Sequence, residues 1–160
     1  MFFNKAPNPQ VKRWHLYFFC SVIIIGIGLK VYSYRWPRAV VNIRGEEIKV
    51  LVADTADRRF KGWGGEKSMG EWGGMLFVFP SKGSHAVVMR NMEFPLDIIW
   101  LDGRTIVDMA PNVKAEPGIS ELDLIPYLSR LPSTMVLEMP ADFIANFGIK
   151  IGDAVDWEDF

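Results

Sequence analysis

The stretch Asp97-Ile98-Ile99-Trp100-Leu101-Asp102-Gly103-Arg104-Thr105-Ile106-Val107-Asp108-Met109 decides the fold. Two runs rich in β-branched and aromatic residues flank Asp102-Gly103, a dipeptide that tight two-residue turns favour because its residues tolerate positive φ. A hairpin is therefore predicted here. Working back along the chain, Ala86–Arg90 reads as a strand, Pro80-Ser81-Lys82-Gly83-Ser84 as a turn, and Met75–Phe79 as a short, wholly apolar strand. Gly62 to Gly74 is a loop rich in glycine and tryptophan. Before it, Thr55–Lys61 reads as a short helix, capped by Asp54 with Asp57 at capping-box spacing and ended by Gly62. Ala39–Arg44 and Glu47–Ala53 read as strands around Gly45-Glu46, with Ile48, Val50 and Val52 on one apolar face.

Forward from the hairpin, Pro111 to Pro132 is a long irregular connection with a little helix expected around Leu122–Leu131. Met135–Met139 reads as a strand. Pro140 is placed to open a helix that Gly148 ends, because a first-turn proline lacks only an N–H that would have no partner anyway. Ala154–Trp157 is a last strand. Many short strands, two short helices and no β-α-β rhythm predict an α+β fold with a mainly antiparallel, barrel-like sheet.

The N-terminus has a different character. Residues 1–13 form a short basic tail, and Trp14 to Leu29 contains no Asp, Glu, Lys or Arg. A helix over 14–34 would be about 32 Å long, enough to span a bilayer core. Lys30 lies near one end, where its ammonium can reach the interface, and Trp14, Tyr17, Tyr32, Tyr34 and Trp36 bracket the segment as an aromatic belt does. The bulky Val31-Tyr32-Ser33-Tyr34-Arg35 offers no small-residue cleavage site, so an uncleaved transmembrane anchor is favoured over a signal peptide. Residues 35–38 make a short linker and 39–160 one soluble domain. Basic residues flank the anchor on both sides (Lys5, Lys12 and Arg13; Lys30, Arg35, Arg38 and Arg44), so the positive-inside rule does not orient it.

Four of the 18 basic residues and none of the 19 acidic ones lie in the first 34 residues, leaving 14 basic against 19 acidic, a net of −5. Nucleic-acid binding needs a basic footprint, and this balance argues against it. The single cysteine, Cys20, sits in the apolar segment, so the soluble part can form neither an internal disulfide nor a thiolate metal cluster. His85 is the soluble part's one histidine, and no metal site or cofactor is expected.

Several stretches together carry a family resemblance. They are Val52-Ala53-Asp54-Thr55, Gly74-Met75-Leu76-Phe77-Val78-Phe79, Met89-Arg90-Asn91, Pro95-Leu96-Asp97-Ile98-Ile99, Val136-Leu137-Glu138 and Gly148-Ile149-Lys150-Ile151-Gly152-Asp153. In order and spacing, Val50 to Val155 resembles the Domain of Unknown Function 192 family. The resemblance implies an α+β fold and an envelope location in a prokaryote, with the domain facing outward, and no activity. The chain departs from the family pattern at Gly62-Trp63-Gly64, where Gly-Leu-Met is usual. It departs again at Val87-Val88, where an aromatic pair is usual, and at Asp142, where glycine is usual.

The candidate binding residues are Arg90, Asn91, Asp97, Trp63, Trp72 and Glu138. Arg90, Asn91 and Asp97 cluster around Pro95, where they could recognise a carboxylate or a peptide backbone; equally, Asn91 and Asp97 could bond their own loop. Glu138 stands in an apolar strand, either as a carboxyl with a shifted pKa or as an outward-facing one. Trp63 and Trp72 would form a binding lip or cover the barrel's open end. Two functions fit: a membrane-tethered envelope module binding a peptide, glycan or neighbouring protein, or a small hydrolase using Asp97 or Glu138 as its carboxylate.

Overall fold

The computed structural model describes residues 13–33 and 35–159 and falls into two compact units, 1–35 and 36–160. The first contains α1, Arg13–Ser33, whose described side chains, 14–28, are exposed. The expected anchor is thus helical from Trp14 to Ser33. Its last side chains, 29–34, and the tail before Arg13 lie outside the described residues. Among the described residues no helix is long and apolar enough to cross a membrane.

The second unit is built on one seven-stranded sheet in the order β5-β4-β6-β3-β2-β1-β7. The strands are β1 (Arg38–Ile43), β2 (Glu46–Ala53), β3 (Gly74–Gly83), β4 (Leu96–Asp102), β5 (Thr105–Val113), β6 (Ser133–Pro140) and β7 (Val155–Asp159). The sheet curls into a half-barrel and its outer strands touch. Thr105 bridges Ala154, Val155 N–H donates to the Arg104 carbonyl at 2.8 Å, and Ile106 N–H donates to the Asp153 carbonyl at 3.0 Å.

The sheet is mixed, not purely antiparallel: β2 and β3 run parallel. Parallel neighbours need a crossover, and here α2 (Ala56–Lys61) with the 62–73 loop supplies it. One β-α-β unit therefore sits in an otherwise antiparallel array. The apolar run Met75–Phe79 records this local setting, since such strands are covered on both faces. Thr55, rather than Asp54, caps α2: its hydroxyl accepts from the Arg58 N–H at 3.3 Å.

Other boundaries shift in instructive ways. The β1–β2 turn centres on Arg44 and Gly45, both at positive φ, one residue before the expected pair. In the β4–β5 hairpin Asp102 pairs Thr105, so Gly103-Arg104 forms the loop. Residues 86–90 form no strand; Val87 makes only a single bridge to Tyr127. Residues 80–83 extend β3 instead of turning, and residues 122–131 contain turns but no helix. Pro140 ends β6, and α3 begins only at Phe143 and runs to Phe147. Between them Asp142 adopts φ 68°, the left-handed region that glycine occupies without penalty. Asp is one of the few residue types with a side chain that visit this region.

Alternation along the strands sorts side chains into two clusters. Ile99, Leu101, Leu137, Met139, Leu76, Val41 and Val50 fill the concave side together with Phe143 and Ile144 of α3. Ile98, Trp100, Val136, Met75 and Phe77 point the other way, against Trp63, Met69, Met89 and Met92 from the connections. The central strands are therefore buried on both faces. The loops at 62–72, 85–95 and 113–131 act as a second layer, and the candidate site lies beneath it.

The 113–132 connection is pinned to the sheet by Asp108 of β5. Its carboxylate accepts from the Arg130 backbone N–H at 2.6 Å and pairs with the Arg130 guanidinium. That side-chain bond draws the Asp108 carboxyl down to about 2, against the opposing effect of its burial.

Candidate functional site

The register of three strands places Glu138. On β6 it pairs with Met75 of β3 and with Ile98 of β4, and all three point to the loop-covered face. Its flanking residues, Leu137 and Met139, point to the concave core. Glu138 is 6% exposed. Among the described residues it makes no hydrogen bond or ion pair, and burial alone pushes its carboxyl up to about 8. Burial of this kind favours the neutral form of the carboxyl, which carries an O–H donor.

Glu138 lines a cavity of about 330 Å³ between α2 and the 86–92 segment, within the range of small-molecule pockets. Phe77, Phe79, Met89, Met92 and Leu96 give it apolar walls, while Arg59, Lys61 and Arg90 provide cations. Trp63 also lines it, 4% exposed, with its ring edge-on to Phe94 at 6.3 Å. The Trp63 indole N–H is buried and has no acceptor among the described residues. Buried donors are nearly always satisfied, so this orphan N–H is an exception to the rule.

The backbone here is packed tightly. A Cβ on Gly64 would lie 3.0 Å from both the Arg90 and Lys61 carbonyl oxygens. A Cβ on Gly74 would meet the Glu138 carbonyl at 2.5 Å and Met139 Sδ at 2.8 Å. These two glycines let the lid and the sheet close around the cavity.

The cations differ in how they are engaged. Arg90 forms a two-pronged pair with Glu121, donates to the Phe60 carbonyl at 2.9 Å and lies 4.0 Å over the Phe60 ring. The Glu121 bond raises the Arg90 pKa and lowers that of Glu121. Lys61 pairs with Glu66 at 3.2 Å. Arg59 donates to the Asp54 and Val78 carbonyls, each at 2.9 Å, and sits 5.3 Å over Phe79. Among the described residues no carboxylate pairs with it.

Of the six residues singled out from the sequence, the fold brings Trp63, Arg90 and Glu138 to this cavity. Asp97 is elsewhere: fully buried on the opposite face of the sheet, it accepts from the Asn112 and Ile144 backbone N–H groups, each at 2.7 Å. Asn91 holds a left-handed turn at φ 52° and its carbonyl accepts from Gly65 N–H at 2.9 Å. Trp72 lies under Arg38, 5.0 Å from the guanidinium, and lines a second cavity of about 380 Å³ beyond Trp63. Arg59, Met89 and Met92 were not singled out from the sequence, because nothing in their local pattern separates them from ordinary helix and loop residues. Among the described residues no group of three or more His, Cys, Asp or Glu could hold a metal ion.

Fold and site together define a small α+β half-barrel domain with a lidded, partly charged cavity on the convex face of its sheet. The chain belongs to the DUF192 family, described as Uncharacterized ACR, whose model matches residues 39–157. A similar solved structure is a protein of Sinorhizobium meliloti 1021, 26% identical, with a TM-score of 0.65, covering 78% of this chain and 95% of its own. Another is a protein of unknown function from Novosphingobium aromaticivorans DSM 12444, 29% identical, with a TM-score of 0.62, covering 75% of this chain and 84% of its own. No curated protein matches the chain.

Proposed function

We propose that the protein is a membrane-tethered module that binds a small ligand in the Glu138 cavity. The observation that carries this reading is the Glu138 carboxyl, without a partner among the described residues, in the wall of a cavity that also has Arg59, Lys61 and Arg90 in its lining. Leaving such a group unpaired costs about 1–3 kcal/mol, a cost that a ligand bonding it would relieve. The test is a thermal-shift screen of small metabolites on the full chain and on Ala56→Trp. Ala56 is an exposed residue at the cavity's rim, so the new ring would block entry without disturbing the core. Compounds that raise Tm in the wild type should fail on the variant; compounds that raise both equally would refute the cavity as the site.

The tether is part of the same proposal. It rests on the uncharged, apolar run of sequence from Trp14 to Leu29. The outward orientation draws on the resemblance alone. Retention of the chain in membranes through alkaline extraction supports the tether, and release of the full-length chain refutes it. A periplasmic-reporter fusion to the C-terminus tests the orientation.

A hydrolase is the second reading, favoured by the raised pKa of Glu138, which suits a general acid. Asp97 cannot be its partner, since the two side chains lie on opposite faces of the sheet. Turnover of simple esters or amides that Glu138→Gln abolishes would favour this reading over simple binding.

A further inference from the structure

We propose that the second cavity binds a quaternary ammonium cation, held against the rings of Trp36 and Trp72 in a space that Trp63 also lines. This goes beyond the Glu138 cavity and stands without it. Three of the chain's six tryptophans line this one cavity of about 380 Å³. They come from two places in the chain: Trp36 precedes β1, and Trp63 and Trp72 stand near the two ends of the loop between α2 and β3. Trp36 and Trp72 are half-buried and Trp63 is buried. The faces of aromatic rings attract cations, and tryptophan does so best. Trp72 already receives a cation within the chain, the Arg38 guanidinium 5.0 Å over its ring. Arg38 and Lys49 belong to a neighbouring cavity that shares only Glu71 and Trp72 with this one.

Charge selects a cation over an anion. Lys61 in the lining is paired with Glu66 at 3.2 Å, and Glu71, exposed, has no ion pair among the described residues. One cation against two carboxylates leaves the lining negative. The remaining wall selects an alkylated ammonium over a primary one. A primary ammonium carries three N–H donors, each needing an acceptor. Ser68 Oγ already accepts from Gly70 N–H at 3.3 Å, and Leu51, Met69 and Met75 offer no strong acceptor. A quaternary ammonium has no N–H to satisfy and presents methyl groups to the rings. Glu66, Ser68, Gly70 and Glu71 are exposed, so the cavity opens to solvent. The volume suffices: an engineered cavity of about 150 Å³ admits benzene, so about 380 Å³ holds a cation the size of choline.

The experiment is calorimetric titration of the full chain, in an uncharged maltoside detergent, with choline, its neutral isostere 3,3-dimethylbutan-1-ol, and ethanolamine. Choline is expected to bind about tenfold more tightly than the isostere, which has the same shape without the charge. It should outbind ethanolamine as well, whose N–H groups find no full set of acceptors. Trp72→Phe should weaken choline about threefold and Trp72→Leu about tenfold, with isostere binding little changed in either. Glu71→Gln should weaken choline about threefold at low salt and little at high salt, as screening of an exposed charge requires.

Isostere binding as tight as choline would overturn the cation assignment, as would failure of choline to bind or choline binding unchanged in both Trp72 variants. Ala56→Trp obstructs only the Glu138 cavity, so choline binding should survive it. Loss of choline in that variant would refute this site and leave the Glu138 cavity as a ligand site. Glycerophosphocholine matching choline would support the site with a lipid headgroup as the source, and weaker binding would support it with a free cation.

Discussion

Glu138→Gln should make stability nearly independent of pH where the wild type weakens steeply. The Glu138 carboxyl titrates near 4.5 when freely hydrated and at about 8 in the folded chain. Between those values the folded state holds a proton that the unfolded state has released, so the folded state loses stability as pH rises. Each pH unit in that window costs about 1.4 kcal/mol, so from pH 5 to pH 8 this one group removes about 3 to 4 kcal/mol. The contribution is fully present below about pH 4.5 and gone once pH has passed through about 8. Urea unfolding followed by tryptophan fluorescence, at pH 5 and at pH 8, measures the difference for each protein. Glutamine keeps the shape and cannot ionise, so the wild-type loss minus the variant loss isolates Glu138. The Asp108 carboxyl does not interfere, since it is held down to about 2 and titrates well below the window. Equal pH slopes in the two proteins would refute the picture of a buried, unpaired carboxyl.

Asp97→Ala should lower stability by about 3 kcal/mol or more in urea unfolding, since it strands two buried backbone donors, Asn112 N–H and Ile144 N–H, that the carboxylate now satisfies. Gly74→Ala should prevent native folding, visible as lost near-ultraviolet circular dichroism, because the new methyl meets the Glu138 carbonyl at 2.5 Å. Asp108→Asn should destabilise the chain by about 2 kcal/mol at pH 7 and free the 113–132 connection to faster amide exchange. The wild-type share of that stability is present above the ordinary aspartate range and lost as pH falls through about 2, so variant and wild type should converge in strong acid.

Much of the strand content was legible because it depends on local pattern. The 97–109 hairpin, the alternation in β2, the short helix closed by Gly62 and the strand at Met135–Met139 all follow from period-two patterning and turn chemistry. The misplaced pieces also have local causes. Residues 86–90 carry strand-like side chains, yet they serve as a lid over Met75, Phe77 and Ile98 and find only one bridging partner. Pro140 suits the start of a helix, but the left-handed turn at Asp142 delays α3 until Phe143.

The sequence by itself determined the α+β class, the apolar N-terminal helix and the family, because each is written in composition, periodicity and spacing along the chain. Three of the six site candidates were also legible as unusual residues in their surroundings: an acid in an apolar strand, a tryptophan among glycines, an arginine beside a proline turn. Only the tertiary structure decided which of them meet. Asp97 and Glu138 both stand in apolar strands and look equivalent in sequence. The β4–β6 register pairs Ile98 with Glu138, which turns Glu138 toward the cavity and Asp97 toward the concave face, where two backbone N–H groups occupy it. Side chains alternate with a period of two, so a shift of one residue in that register would bring both carboxyls to the same face. Register is set by contacts between strands about 40 residues apart, and no local pattern in the sequence encodes it.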